Sequence, residues 1–183
     1  ATDVFNVAVG HDAGVSITTG FRTTLIGGLA GDVLTDADNN VAIGYAALTT
    51  DTLGSGAVAV GAGALNSQNF TTATTNYNVG VGLDAGKSIT FGTVNTLIGG
   101  LAGDALTEGN NNVAVGYAAL GSDTKGDRNI SIGSGSLATQ NFTTSTDSYN
   151  VAVGHNAGNA ITTGVQNVFV GGLSGDSTTD ADG

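Results

Sequence analysis

Cysteine, proline, methionine and tryptophan are all missing from this chain of 183 residues, and aromatic residues make up only 5% of it. The lack of cysteine removes disulfides, thiolate nucleophiles and cysteine metal ligands together. A globular core is filled with large apolar side chains, so a chain this poor in them has to bring its backbones close together instead. Charge is scarce too: four Lys plus Arg stand against 15 Asp plus Glu, for a net charge of -11. The basic residues Arg22, Lys87, Lys125 and Arg128 form no cluster in the sequence, which argues against binding to nucleic acid or anionic lipid. No apolar run approaches the roughly 20 residues that span a bilayer, and no signal-peptide pattern is present, so no membrane insertion is expected. The chain opens on Ala1 without a Met, and is expected to be processed or a piece of a longer fibre.

What the chain has is glycine, 31 residues of it, and repetition. A glycine closes each small apolar run at Gly10, Gly27, Gly44, Gly61, Gly82, Gly99, Gly116, Gly133, Gly154 and Gly171, at spacings of 17, 17, 17, 21, 17, 17, 17, 21 and 17. Four units make a higher repeat of 72 residues, so the chain reads as one repeat domain over 1–183 with higher repeats at 7–78 and 79–150 and a partial one at 151–183. The residue before each marker glycine is Val or Ile, and the residue three before it is Val, Ile or Thr. Between them sits a small residue such as Ala42, Ala59, Gly80, Ala114 or Ser131, with Leu25, Leu97 and Phe169 as the large exceptions. Alternate side chains of a strand face opposite ways, so a β-branched ladder and an Ala/Gly ladder lie on opposite faces, both apolar. Four residues after the glycine the pattern reads Gly, Gly, Leu, Leu in each higher repeat.

A period of 17 with one β-branched strand in it is the requirement of a parallel β-solenoid, an all-β fold of about ten coils, 17 residues each and 21 in every fourth. Ten coils stacked at about 4.8 Å give a rod segment of roughly 48 Å. Segments such as S-I-T-T-G and T-D-A-D-N-N are expected to add a second short strand and a turn, and an Asn before most strands suits a corner. One coil encloses few inward side chains, which predicts that the Ala/Gly face is covered by another chain.

The phrases N-V-A-V-G and N-V-A-I-G resemble the repeats of trimeric autotransporter adhesin heads. The longer N-V-A-I-G-Y-A-A-L at Asn40, nearly repeated at Asn112, is similar to repeats in phage and prophage tail fibres. That resemblance, which spans nearly the whole chain, implies a left-handed parallel β-roll with three chains side by side in an extracellular fibre at a cell surface or on a virion. It also implies a structural role in host or surface attachment, with a cell-surface glycan or receptor as partner. The units here are longer than those of the adhesin heads. A self-assembling surface filament, with subunits stacked end to end, is the alternative, followed by a Ca²⁺-binding or ice-binding solenoid. At the ends, T-D-V-F-N at Thr2 matches T-D-S-Y-N at Thr146, and Gly183 falls where another Asn would come, as in a longer array.

Several features could carry chemistry. The glycines of G-V-G-L-D-A-G at Gly80 have the wrong spacing for a nucleotide loop and recur as ladder positions. His11 and His155 share a slot that elsewhere accepts Leu83, Tyr45 or Tyr117, which reads as a packing or surface position. No Ser/His/Asp set or carboxylate pair stands out, so no enzyme is expected. The turns D-A-D-N-N and D-A-D-G place Asp36, Asp38, Asp180 and Asp182 at alternate positions, the only weak Ca²⁺ candidates; solvated turns are the plainer reading. A Thr eight residues after most marker glycines forms a ladder that either binds ice or bonds to itself. The enlarged units Q-N-F-T-T-A-T-T-N-Y at Gln68 and Q-N-F-T-T-S-T-D-S-Y at Gln140 are the binding candidates, with Phe70, Tyr77, Phe142 and Tyr149 set for glycan or lateral fibre contact or else plugging a wider coil.

Overall fold

The computed structural model of the chain describes residues 4–180 and 182. Thr2 and Asp3 of the terminal match, Ala181 of the last acidic turn, and Gly183 lie outside the described residues.

Among the described residues fourteen short strands follow one another: β1 (Val7–Val9), β2 (Thr24–Ile26), β3 (Val41–Ile43), β4 (Gly54–Ser55), β5 (Val58–Val60), β6 (Thr74–Thr75), β7 (Val79–Val81), β8 (Thr96–Ile98), β9 (Val113–Val115), β10 (Gly126–Asp127), β11 (Ile130–Ile132), β12 (Thr146–Asp147), β13 (Val151–Val153) and β14 (Val168–Val170). Ten of them form one parallel sheet in the order β1-β2-β3-β5-β7-β8-β9-β11-β13-β14, so the chain is a β-solenoid of about ten coils. The register is that of the sequence repeat: Val41 pairs with Val58, Ala42 with Ala59 and Ile43 with Val60, and so on up the stack. A second strand pair forms only at the enlarged coils, β4 with β6 and β10 with β12. Elsewhere the second side, including S-I-T-T-G, is held by single inter-coil bonds such as Thr18 N–H to Thr35 O at 3.0 Å, and is not a strand.

The predicted covering of the Ala/Gly face by another chain is corrected by the packing. Ala42, Ala59, Gly80, Ala114, Ser131 and Ala152 point into the coil and are buried within the single chain. Interior volume is shared between the middle strand residue and the residue four past the glycine. Where the strand carries Ala42, Ala59, Ala114 or Ser131, the interior is filled by Leu48, Leu65, Leu120 and Leu137, all fully buried. Where it carries Leu25 or Leu97, glycines stand opposite. A Cβ on Gly31 would lie 2.9 Å from Leu25 Cδ2, and one on Gly103 would lie 2.8 Å from Leu97 Cδ2, closer than packed carbons approach. Where both positions are small, as at Gly80 and Gly86 or Ala152 and Gly158, Ile89 and Ile161 seven residues past the glycine fill the coil, so the core closes without a second chain. The face left uncovered is the opposite one, the Val/Ile ladder.

The Asn predicted at a corner is an internal brace. Asn112 donates from Nδ2 to Gly126 O at 2.9 Å, while its Oδ1 accepts the N–H of Asn129 in the next coil at 2.9 Å. Asn95 repeats this with Gly109 and Asn112, and both side chains are fully buried. Each amide thus bonds its own coil and the next, satisfying backbone groups that the thin core shuts off from water. The Thr ladder bonds to itself as well. The Oγ1 groups of Thr35, Thr90 and Thr107 each donate to the carbonyl one coil on, at 3.1 Å.

Candidate functional site

The sequence candidates divide by which way their side chains face. In the enlarged coils Phe70 and Phe142 are buried, each 6% exposed, and they close the wider loop. Tyr77 and Tyr149, seven residues on, are 63% and 46% exposed. What fixes these coils is a buried polar chain. Asp51 accepts the N–H groups of Gly54 at 3.1 Å and Phe70 at 2.9 Å, and takes Gln68 Nε2 at 2.6 Å; Gln68 Oε1 in turn accepts Asn78 Nδ2 at 2.9 Å. Asp123, Gln140 and Asn150 repeat the same arrangement in the second copy. The carboxylate is buried without a cation, and three N–H donors hold it there.

The acidic turns are placed by the same periodicity. Asp38 Oδ1 accepts the N–H of Phe21 at 2.9 Å and Asp182 Oδ1 that of Val165 at 3.1 Å, so both tie their turn to the preceding coil. Asp180 accepts the hydroxyls of Thr162 and Thr163, which hold its carboxyl below the usual carboxylate range. Among the described residues no three His, Cys, Asp or Glu side chains converge as a metal site would need.

Asp36 and Asp38 form one wall of an open groove of about 500 Å³ whose other sides are Ser55, Gly56, Thr74, Thr75 and Tyr77. It lies where the first enlarged coil meets the two coils before it. In the equivalent place of the second higher repeat, 72 residues on, Glu108 replaces Asp36, Arg128 replaces Gly56 and Asp147 replaces Thr75. There Arg128 pairs with Asp147 and lies over the Tyr149 ring at 5.6 Å, while Lys125 Nζ pairs with Glu108 at 3.0 Å. The two copies share a backbone and differ in what fills the space beside the tyrosine.

The slot after the marker glycine is a surface column. His11 and His155 are exposed, and His11 Nδ1 stands 3.1 Å from its neighbour Asp12. Of the packing and surface readings of this slot the structure shows the second, since Tyr45, Tyr117 and Leu83 are exposed too. The Tyr45 ring lies over the backbone of Gly28 in the preceding coil, and Tyr117 over Gly100. The feature that reasoning from sequence placed wrongly is the largest one, the outward β-branched ladder. Its two columns run Val7, Thr24, Val41, Val58, Val79, Thr96, Val113, Ile130, Val151, Val168 and Val9, Ile26, Ile43, Val60, Val81, Ile98, Val115, Ile132, Val153, Val170. Only two threonines interrupt them, and every one of these side chains is half-buried or exposed. The signal was in the sequence: the large residues at the middle position, Leu25, Leu97 and Phe169, co-occur with Gly31, Gly103 and Gly175, a size exchange expected only across one enclosed interior.

Compared with known proteins, the chain matches no protein-family profile, no curated protein and no solved structure.

Proposed function

We propose that the chain is a non-enzymatic structural segment of an extracellular fibre, in which three copies pack side by side through their Val/Ile ladders and the outward loops serve attachment. The observation that carries this is the ladder itself. Ten strands present two unbroken columns of β-branched side chains to solvent. At about 10 Å wide and about 45 Å long, the strip covers on the order of 450 Å², the size of the largest apolar patch on a typical soluble monomer, which is often functional. Its regular rise makes it self-complementary over any length, as a shaft requires, and closed symmetry would bury it without leaving an edge. The resemblance of N-V-A-I-G-Y-A-A-L to fibre and adhesin-head repeats supports the same reading, including the number of chains.

Sedimentation equilibrium tests it. The wild-type chain is expected to sediment with three times its own mass of 17.8 kDa. Ile43→Lys combined with Val115→Lys, both side chains outward, is expected to sediment as a single folded chain. A wild-type monomer at the same concentration would overturn the proposal.

A further inference from the structure

We propose that the groove beside Tyr77 is a binding site for a guanidinium group carried on an alkyl chain, such as an arginine side chain of a partner protein. The argument rests on the two copies of the enlarged coil. In the second copy the site is occupied by the chain's own guanidinium: Arg128 pairs with Asp147 and lies over the ring of Tyr149, and a second cation, Lys125, neutralises Glu108. In the first copy the corresponding residues are Gly56 and Leu53, and neither cation is present. The tyrosine and the acidic wall remain, while Thr75 stands where Asp147 pairs with the arginine, so a guanidinium here takes its carboxylates from Asp36 and Asp38. Tyr77 is more exposed than Tyr149, at 63% against 46%, and Asp36 has no hydrogen-bond or ion-pair partner among the described residues. Asp38 uses Oδ1 for the N–H of Phe21, and its Oδ2 has no partner among the described residues.

The groove offers about 500 Å³ of open space, lined by Gly56 and Tyr77. Gly56 holds φ +76°, close to the +62° of Arg128, so the backbone is set as it is where arginine is carried. A Cβ on Gly56 would meet Thr75 Cγ2 at 3.3 Å and Tyr77 Cδ1 at 3.9 Å, which places the tyrosine beside the missing side chain. No basic residue of the chain serves the groove: Arg22 lies over Phe21, Lys87 pairs with Asp84, and Lys125 and Arg128 belong to the second copy. A planar cation lying on an aromatic face with carboxylates at its edge matches guanidinium better than ammonium, because it stacks and presents its donors in one plane.

The test is an NMR titration of the ring resonances of Tyr77 and Tyr149 with ethylguanidinium, with uncharged N-ethylurea and a methyl glycoside as controls. Ethylguanidinium is expected to shift Tyr77 saturably and to leave Tyr149 unmoved, and neither control should shift Tyr77. Gly56→Arg with Thr75→Asp, which installs the second copy's own occupant, is expected to weaken the Tyr77 response at least tenfold. Arg128→Gly with Asp147→Thr and Lys125→Leu gives the second groove the first copy's residues at these places, frees Glu108 and should transfer a saturable response to Tyr149, so the prediction survives if the first variant folds poorly. An equal response to ethylurea, a response to the glycoside in place of the cation, or no saturable shift in the wild type and the opened second groove would overturn the assignment.

Discussion

At the scale of single residues, the strictest requirement falls on the marker glycine. Gly116 holds φ +135°, a region that side chains rarely enter, and a Cβ there would lie 2.6 Å from the carbonyl carbon of Gly133 in the next coil. Nothing flexible can yield, because the obstacle is backbone. Gly116→Ala is therefore expected to lower stability by about 3 kcal/mol, read from urea unfolding. An alanine tolerated within a few tenths would contradict the packing. A subtler case is Asp104. Burial pushes its carboxyl above the usual range and the charge of Asp84 adds to this, while backbone N–H groups and Lys87 oppose it. In the first repeat the equivalent Asp32 accepts the hydroxyl of Thr49; in the second, Gly121 stands in that threonine's place. A carboxyl whose folded pKa is raised adds stability only while protonated, and that part is lost as pH rises through the folded value. Gly121→Thr gives the ionised form a donor, so it is expected to stabilise at pH 7 by about 1 kcal/mol. The gain should disappear below about pH 3, where Asp104 is protonated in both states. Urea unfolding at the two pH values checks the sign, and an equal gain at both would show that the hydroxyl acts otherwise.

At the scale of the coil, the interior is filled by large apolar residues in the first two coils of each repeat, and the last two add buried polar groups. Where coils one and two of each repeat place Ile17 and Leu34, or Ile89 and Leu106, coils three and four place Asp51 and Gln68, or Asp123 and Gln140. The carboxylate gathers N–H groups that the four extra residues leave unpaired, so only an acceptor fits. Asp51→Asn turns part of that acceptor into a donor facing Gln68 Nε2 and the N–H groups of Gly54 and Phe70. It is expected to cost about 2 kcal/mol and to loosen residues 69–77 first, read as faster amide hydrogen exchange there than in β9. Uniform exchange in the variant would show that the chain of bonds does not govern this coil.

These elements also show what could be read in advance. The period, the parallel register and the β-branched alternation were legible because each marker glycine and each flanking Val or Ile recurs without exception. The direction of the faces was not, because Ala/Gly and Val/Ile ladders are both apolar and alternation does not say which side encloses the core. It is decided by Leu48, Leu65 and their copies four residues past the glycine, which reach inward only because the chain there turns at positive φ. The candidate groove was half legible. Tyr77 and the acidic turn were singled out separately, but their meeting depends on stacking of coils two to four, with Gly56 between them.

At the scale of the whole molecule, a thin core that each coil completes for itself leaves the rod with one uncovered apolar strip and a charge of -11 spread over the rest. Mutual repulsion of such chains opposes association except where the strip is buried, so screening by salt should strengthen assembly rather than weaken it. That the Val/Ile ladder, and not the Ala/Gly face, forms the proposed seam between chains can be measured directly, because the chain has no cysteine of its own. A spin label at Val115→Cys lies on the ladder, and one at Ser122→Cys lies on another, exposed side of the same coil. Electron paramagnetic resonance should find strong dipolar coupling between chains at position 115, abolished by dilution with unlabelled chain, and much weaker coupling at 122. No coupling at 115, or stronger coupling at 122, would contradict the account.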